Sequence, residues 1–340
     1  MKSFEFFLGK VPNIEETKNY WFFRTMGGRL FSPFLYKSII AIDYAEIKED
    51  KVNELIKGRL TEAKARFIKS KYPEHKRINL IISNLKNFYC EMKIGDYVVI
   101  PDTAGRNIAV GEIMSEVEYI EGIEIIRPNG KKYIDREYQR SRKMKWVTVA
   151  QKDSFSPYLY KLLNTHLTVS SANAYSEWID GLLFNFYKKD EQYHYIINIK
   201  QRYGLSAKTV YGAFYELLNL ADEFLREEEI DENVDSIDTR IALRSPGTIE
   251  LLGTAGTAIA VICLMIHFIN GGGIKYKKKD GTEISLNTDG VIKKLNEFLN
   301  SRKDRIIKNE LAMKIKTLEI GNADDIVEIL KTVNERNQNE

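Results

Sequence analysis

Short apolar and alternating runs dominate the first 155 residues of the chain. Each run is rich in aromatic or β-branched residues and is bounded by Gly, Pro, Asn or Asp, which is the pattern of short β-strands. The runs are, in order, NYWFFRTMG, SIIAIDY, GDYVVIPD, NIAVGEIMSEVEYI and MKWVTVA. A charged stretch with helical periodicity, from Ile47 to Asn87, interrupts them. Several short strands with one helical insertion predict a small, partly open β-barrel over residues 1–155.

The pattern changes after residue 155. Residues 156–189 are predicted to be a connecting helical segment, with an amphipathic helix from Ala172 to Lys188. Residues 190–340 then mix strand-like and helical runs: YHYIINIKQ and DTRIALRS indicate strands, and SAKTVYGAFYELLNLADEFLREEE indicates a helix capped by Ser206. A hairpin turned at an Asp-Gly pair and two or three charged helices follow. This order predicts an α+β sandwich for residues 190–340 and an α+β class for the whole chain.

The most apolar segment is residues 251–269, LLGTAGTAIAVICLMIHFI, which we predict to be a single helix at the centre of the second domain. Thr248 is its candidate N-cap. At about 1.5 Å per residue the segment would reach about 28 Å, close to the thickness of the hydrocarbon core of a bilayer. Small residues in it would form a smooth face that another helix can approach closely, and these are Gly253, Gly256 and Ala260.

Two interpretations of residues 251–269 remain open. In the first, the segment is a membrane helix, and the KYKKK run that follows it suits a cytoplasmic flank. In the second, it is a buried helix of a soluble domain that associates with copies of itself. The sequence has no second span and no aromatic belt, and strand-like runs flank the segment. We therefore favour the second interpretation, in which the small face mediates oligomerisation.

Composition narrows the functional classes. The chain has 340 residues, 44% of them hydrophobic and 29% charged, which is typical of a globular protein of about two domains. A net charge of +3 is too small for nucleic-acid binding over the whole surface, so any such binding requires a local patch. Cys90 and Cys263 lie in apolar stretches and indicate packed thiols in a reducing compartment. The N-terminal residues lack an apolar signal core, so a cytoplasmic location is expected.

No pattern of catalytic chemistry emerges. The sequence has no Walker-type phosphate loop, and four scattered histidines with two distant cysteines do not form a metal-ligand cluster. His194 and His267 stand alone in the sequence. Asp43, Asp96 and Asp102 lie at strand ends without the neighbouring Glu-x-Lys of a metal-dependent nuclease. We predict no catalytic residue, metal or cofactor, although a divergent nuclease remains an alternative.

Three segments of the first half carry a family resemblance. They are NYWFFRTMGGRLFSPFLYKSIIAIDYAEI, MKIGDYVVIPDTAGRNIAVGEI and REYQRSRKMKWVTVAQKDSFSPYLYKLL. In this order and spacing they resemble the EVE-like branch of the PUA superfamily, whose modules stand at the N-termini of Mrr-type and McrB-type restriction proteins and other bacterial anti-phage proteins. The resemblance implies a small β-barrel with helices at its side that binds nucleic acid and inspects a modified base.

Extrusion of a base requires aromatic faces for stacking and a few polar groups for its edge. The candidate aromatic residues are Trp21, Phe23 and Trp146. The candidate phosphate or base contacts are Arg24, Arg29, Arg106, Arg140, Arg142 and Lys143, the last three of them in the run RSRKMK. Strand alternation places Arg142 on the face opposite Lys143 and Lys145. Each of these features also has a purely structural interpretation. The tryptophans could be core residues, and the run RSRKMK could be a solvated basic edge of the sheet. Gly27-Gly28 could be a simple turn.

The sequence as a whole predicts a bacterial anti-phage protein of the antiviral defence type, located in the cytoplasm. Its first domain would sense nucleic acid, a nucleotide or a modified base. Its second domain would form a homo-oligomer or couple to a partner effector protein. A membrane-acting effector that inserts residues 251–269 is the first alternative, and a metal-dependent nuclease is the second.

Overall fold

The structure is a computed structural model, and it describes residues 2–15, 17–126, 131–152, 156, 158–165, 167–201, 204–242, 247–270, 275–277, 283–285, 291–301, 305–321, 326 and 329–330. The chain forms two compact units. We call Thr17–Leu183 the half-barrel unit, and we call Met1–Glu16 together with Phe184–Glu340 the four-stranded unit. The predicted boundaries lay at residues 155 and 189 instead. The predicted connecting segment is therefore divided between the two units.

Helices and short strands alternate in both units. The α-helices are α1 (Lys2–Leu8), α2 (Phe31–Lys37), α3 (Glu49–Ile56), α4 (Glu62–Lys71), α5 (Ile78–Lys86), α6 (Leu159–Leu163), α7 (Ser176–Leu183), α8 (Ala207–Glu227), α9 (Gly256–Ile269), α10 (Val291–Asn300) and α11 (Arg305–Thr317). The strands are β1 (Tyr20–Phe23), β2 (Ile39–Ile42), β3 (Tyr97–Pro101), β4 (Asn107–Ile113), β5 (Glu118–Tyr119), β6 (Ile123–Ile126), β7 (Lys132–Asp135), β8 (Arg140–Gln151), β9 (Val169–Ser171), β10 (Phe186–Lys189), β11 (Gln192–Ile199), β12 (Asp238–Ala242), β13 (Gly247–Gly253), β14 (Lys275–Lys277) and β15 (Glu283–Ser285).

The main sheet of the half-barrel unit is mixed and curls into a half-barrel. Its strand order is β2-β8-β4-β3-β1-β9, and β5 also pairs with β8. β1 runs parallel to β3, and the other neighbours are antiparallel. The sequence runs predicted as strands supply these strands, and the predicted helical stretch contains α3, α4 and α5. The mixed α+β class is therefore confirmed.

Aromatic residues anchor the core of this unit. The ring of Phe23 on β1 packs against Phe34 of α2 and Phe88 of the π-helical turn Asn87–Glu91, each with a centroid distance of 5.9 Å. All three rings are buried. Burial of one such side chain stabilises the fold by about 1.5–3 kcal/mol, so Phe23 anchors β1 to α2 and to this turn.

The four-stranded unit has an antiparallel sheet in the order β10-β11-β13-β12. Its core joins β11 and β13 to α8 and α9, and α1 adds two buried rings, Phe4 and Phe7. The segment after α1 also pairs with this sheet, since Asn13 bridges Lys188 and the Ile14 amide donates to the Lys188 carbonyl at 2.9 Å. The first sixteen residues therefore belong to a unit whose other elements begin at residue 184.

The predicted helix from Ala172 to Lys188 is wrong beyond residue 183. Its last residues form β10, which makes a hairpin with β11. The turn between them consists of Asp190 and Glu191, both with left-handed φ values of 49° and 60°. Such a two-residue turn usually contains Gly or Asn, so the sequence carries no obvious turn signal here.

Residues 251–269 do not form one helix, contrary to the prediction. Residues 247–253 are the strand β13, which pairs on both sides with β11 and β12. Thr248, the predicted N-cap, lies inside this strand. The helix α9 begins at Gly256 and has 14 residues, which corresponds to about 21 Å. Across the described ranges, no helix combines the length and the apolar character needed to cross a membrane.

The side chains of α9 lie inside the unit. Every residue from 258 to 266 is at most 1% exposed. No side chain of its own caps its N-terminus; instead the Glu232 carboxylate accepts a hydrogen bond from the Ala258 amide at 2.8 Å. A carboxylate at this position satisfies a free amide and complements the helix dipole.

The small residues proposed as an oligomerisation face are all buried within the unit. Gly253 ends β13, whereas Gly256 and Ala260 lie on α9, so the three do not share one helix face. Gly256 makes room for an aromatic ring of its own chain, because a Cβ there would lie 2.5 Å from Cε2 of Tyr193. The continuous smooth helix face expected from the sequence is therefore absent.

The remaining predictions for this unit are partly met. Ser206 stands at the N-cap of α8, but its side chain makes no capping hydrogen bond. β14 and β15 pair as the predicted hairpin, whose turn at Asp280 and Gly281 lies outside the described residues. α10 and α11 fall within the predicted helical region, and the end of that region, at Val333, lies outside the described residues as well.

We predict that Gly256→Ala lowers the free energy of unfolding by about 1–3 kcal/mol, because the added methyl group overlaps the Tyr193 ring. Gly204→Ala is the matched control, since no atom lies within 4 Å of a Cβ at that position. Urea denaturation of the two variants checks this. Equal midpoints for Gly256→Ala and the wild type would show that the ring shifts freely.

Candidate nucleic-acid interface

Trp21 and Phe23 are core residues. Trp21 is 7% exposed, and its Nε1 donates to Oδ2 of Asp96 at 2.9 Å. The same carboxylate accepts hydrogen bonds from the backbone amides of Asn19 and Lys93. Asp96 thus fixes the indole of Trp21 through a carboxylate that accepts three hydrogen bonds. Neither the Trp21 ring nor the Phe23 ring presents a face to solvent in this structure.

Trp146 is half-buried on β8. Its Nε1 donates to the Phe34 carbonyl at 3.1 Å. The ring lies close against β4, because a Cβ on Gly111 would be 2.6 Å from Cε3 of Trp146. The pairing of β4 and β8 shifts by one residue at Val110 and Gly111, which is a bulge. Gly111 therefore allows the indole to lie on the sheet.

The basic run RSRKMK does not form a phosphate-binding patch. Arg140 is 1% exposed, and it donates to the carbonyls of Tyr44, at 2.9 Å, and of Ile47. Arg142 is fully buried and donates to the carbonyls of Phe88, at 2.9 Å, and Ser115, at 3.0 Å. Both arginines brace neighbouring loops, so their assignment as phosphate contacts is wrong for this conformation.

The lysines of the run lie on the opposite face from Arg142, as strand alternation predicts. Lys143 is exposed and forms an ion pair with Glu118 at 3.0 Å. Lys145 is exposed as well. The run therefore has two faces: the buried arginines Arg140 and Arg142 donate to backbone carbonyls, and the lysines Lys143 and Lys145 face solvent.

Two loops meet where the parallel strands β1 and β3 end. The first is the turn Thr25–Leu30, which contains three consecutive residues with positive φ: Met26 at 53°, Gly27 at 64° and Gly28 at 93°. The second, residues 102–106, follows β3 and contains Ala104, with φ of 61°. A Cβ on Gly28 would lie 2.2 Å from the Thr103 nitrogen, so only glycine permits this contact. We call the two loops together the strand-end site.

Three of the predicted arginines flank the strand-end site. Arg24 donates to the Thr165 carbonyl at 3.2 Å. Arg29 is exposed and contacts the sulfur of Met26 at 2.9 Å. Arg106 is exposed and ends the second loop. Among the described residues, neither Arg29 nor Arg106 forms an ion pair. Their guanidinium groups are therefore available to an anionic ligand.

A buried carboxylate lies beside the same turn. Asp43 directly follows β2, and its Oδ1 is shielded from solvent without a hydrogen-bond partner among the described residues. Burial, which disfavours the charged form, raises the pKa of Asp43 to about 6, with the charge of Glu137 acting in the same direction and hydrogen bonds to the backbone and to Tyr44 acting against it. The next residue, Tyr44, has a φ of 82°, which is strained for a bulky side chain.

Tyr138 connects this carboxylate to the turn. Its hydroxyl donates to the sulfur of Met26 at 3.3 Å. Burial raises the pKa of Tyr138, the charge of Asp43 raises it further, and the charge of Arg29 lowers it. Both charges therefore lie near this ring. Asp43, Tyr138, Met26 and Arg29 form one cluster that continues the strand-end site.

Sequence reasoning located part of this cluster. It selected Arg29 and marked Gly27-Gly28 as a turn, and it placed Asp43 at a strand end without a role. It missed Met26 and Tyr138, which are 112 residues apart in the chain. A strained strand end that carries an isolated acid was the available signal for Asp43.

His194 has partners, unlike the sequence expectation. Its Nδ1 lies 2.7 Å from Oε1 of Glu250, and its ring stacks on Tyr187 with centroids 4.7 Å apart. Glu250 also lies 3.7 Å from Arg240. His267 is buried in α9, where burial lowers the pKa of its imidazole. In the ranges that the structure describes, no group of three His, Cys, Asp or Glu residues is arranged to hold a metal ion.

Comparison with known proteins gives one result. Residues 25–171 match the model of a family described as a domain of unknown function (DUF8426). The match covers less than half of the chain, and it runs from the first residue of the turn Thr25–Leu30 to the last residue of β9. No curated protein and no solved structure matches the chain significantly. The matched region contains the whole strand-end site, together with Asp43 and Tyr138.

We predict that Asp43→Asn stabilises the protein near neutral pH. The folded-state pKa of about 6 lies above the unfolded value of 3.8, so folding loses stability as the pH rises from about 4 to about 6 and does not regain it above. Asparagine removes the buried charge, which is worth about 1–3 kcal/mol.

Urea denaturation at about pH 7.5 and about pH 4.5 checks this, because the gain should shrink at the lower pH. Asp231→Asn, at an exposed position, is the control and should show no gain at either pH. A gain for Asp43→Asn of the same size at both pH values would contradict the assignment of a raised pKa.

Proposed function

We propose that the half-barrel unit binds nucleic acid at the strand-end site and inspects a base there. The chain would act as a cytoplasmic sensor in bacterial anti-phage defence, as its resemblance to the EVE-like branch of the PUA superfamily implies. The half-barrel sheet with helices at its side is compatible with that resemblance.

One observation carries the proposal. Arg29 and Arg106 are exposed and form no ion pair with any described residue, and they stand on two loops that meet in tight backbone contact at Gly28 and Thr103. Guanidinium groups bind phosphate and the guanine edge through pairs of parallel hydrogen bonds. Backbone strain of the kind seen at Met26 concentrates at ligand-binding sites, because surrounding structure must hold it in place.

The base would lie beside Asp43. An extruded base is read through hydrogen bonds to its edge and through flat or apolar neighbours. The unpartnered Oδ1 of Asp43 is an acceptor of the type that an amino group of a base requires, and Met26 and Tyr138 provide an apolar and an aromatic neighbour. In this proposal these residues take the base-binding role that the sequence analysis assigned to Trp21 and Phe23.

Removal of the two unpaired arginines tests the proposal. Arg29→Ala combined with Arg106→Ala should weaken binding to a short DNA or RNA duplex, and it should reduce the slope of log affinity against log salt by about one for each lost phosphate contact. Fluorescence anisotropy measures both quantities.

Arg59→Ala is the matched control, because Arg59 is exposed in the loop between α3 and α4. It should leave affinity and slope close to the wild type. An unchanged salt slope in the double variant would show that the strand-end site is not the interface. Absence of nucleic-acid binding by the wild type would contradict the proposed function itself.

In the same proposal, the four-stranded unit forms a homo-oligomer or couples the chain to a partner effector protein. Because α9 is buried within the unit, other surfaces must serve this role. Sedimentation velocity over a wide concentration range should show a homo-oligomer at high concentration. A single monomeric species throughout would leave only coupling to a partner.

A further inference from the structure

Three aromatic side chains form a cluster on the half-barrel unit, with one pair stacked and the other pair tilted. The ring of Tyr158, just before α6, stacks on Trp178 of α7 with centroids 4.8 Å apart and planes 20° apart. Tyr175 lies against Trp178 at 6.1 Å. Tyr158 is 56% exposed, and the other two are half-buried. We call these three residues the aromatic ladder.

The fold does not need the exposed rings for its core. Leu159 and Leu162 bury one side of α6, and Ile179 and Leu183 bury one side of α7. These buried apolar residues anchor both helices in the unit. A large aromatic ring that remains more than half exposed on such an anchored helix is available to a partner.

The ladder is continuous with the strand-end site. The Lys152 amide donates to the Arg106 carbonyl at 2.7 Å, and the Tyr160 hydroxyl donates to the Lys152 carbonyl at 3.1 Å. Nζ of Lys152 lies 4.8 Å from the centre of the Tyr160 ring. Gly105 meets α6 directly, since a Cβ there would be 2.9 Å from Cδ1 of Leu163. The loop that carries Arg106 is thus packed against the helix that follows Tyr158.

Basic side chains are exposed along this path, and two acidic residues lie near it: Asp102 in the same loop as Arg106, and Glu177 next to Trp178. Arg106, Lys152 and Lys161 are exposed between the strand-end site and the ladder. An exposed tyrosine ring backed by two half-buried rings, next to basic side chains, matches the two requirements of single-stranded nucleic acid, which are a π-face for each base and neutralisation of each phosphate. A duplex keeps its bases paired and cannot use the rings.

We propose that the aromatic ladder binds unpaired bases of single-stranded nucleic acid, with the phosphates against Arg106 and Lys152. This rests on the proposed function, because the ladder extends the same interface. The ladder would hold the nucleic acid beside the site where a base is read, whichever direction the nucleic acid runs. Stacking on the ladder tolerates every base, since each base has a π-face.

The test uses the full chain, a short fluorescein-labelled oligothymidylate and a duplex of equal length. Tyr158→Ala should weaken oligothymidylate binding by about fivefold or more, and duplex binding much less. Tyr158→Phe keeps the stacking face and should bind like the wild type. Tyr215→Ala, which removes a tyrosine that is exposed on α8 of the other unit, is the control and should have no effect.

Intrinsic fluorescence gives a second measurement that does not depend on the folding of Tyr158→Ala. The chain has three tryptophans, and Trp21 and Trp146 are fixed by hydrogen bonds within the fold. Oligothymidylate should therefore quench the emission of Trp178, and Trp178→Phe should abolish that quenching.

The proposal that the ladder binds unpaired bases would be overturned if folded Tyr158→Ala and the wild type bound oligothymidylate with equal affinity. It would also be overturned if binding did not quench Trp178. If duplex binding then remains sensitive to Arg29 and Arg106, the proposed function stands without it. If the wild type binds neither probe, both proposals fail together.

Discussion

Two buried guanidinium groups on β8 hold neighbouring backbone segments of the half-barrel unit, one of which directly follows Asp43. Arg140 donates to the carbonyls of Tyr44 and Ile47, and Arg142 donates to those of Phe88 and Ser115. A buried charge that loses its partners costs several kcal/mol, so these carbonyls cannot move away independently. The strained residue Tyr44 is thereby kept in place next to Asp43, at a strand end that would otherwise relax.

The site combines features that are individually unfavourable for stability. The shielded Oδ1 of Asp43, which has no hydrogen-bond partner among the described residues, and left-handed backbone at Met26 and Tyr44 each oppose folding. They lie in a unit whose core is well packed with Phe23, Phe34 and other buried residues. This distribution is expected where a site is pre-organised for a ligand, because the core offsets the cost of holding the site open.

The strands of the half-barrel unit could be predicted because their runs are short, rich in aromatic and β-branched residues, and bounded by turn signals. The segment 251–269 could not, since a central strand and a buried helix are both continuously apolar and period alone does not separate them. The strand β10 was missed because its hairpin turn consists of Asp190 and Glu191, which lack the usual turn signal.

Site residues could be predicted where a single loop has a recognisable sequence pattern. They could not be predicted where the site depends on contacts between segments far apart in the chain. Arg29 and Gly28 were found from one glycine-rich turn. The bracing role of Arg140 depends on a carbonyl 96 residues away, and the contact of Tyr138 with Met26 joins residues 112 apart. An arginine in a basic run is indistinguishable from a phosphate ligand until its carbonyl partners are known.

The discontinuous make-up of the four-stranded unit has a consequence for how the chain is synthesised. Its first sixteen residues leave the ribosome before the half-barrel unit, but their partners in the core and in β10 follow only after residue 183. The half-barrel unit can complete its fold as an inserted domain while Phe4 and Phe7 wait, exposed, for the sheet that will cover them. The early apolar helix is therefore the segment most in need of chaperone protection during translation, and a protease cut inside the half-barrel would still leave α1 attached to its unit by packing alone.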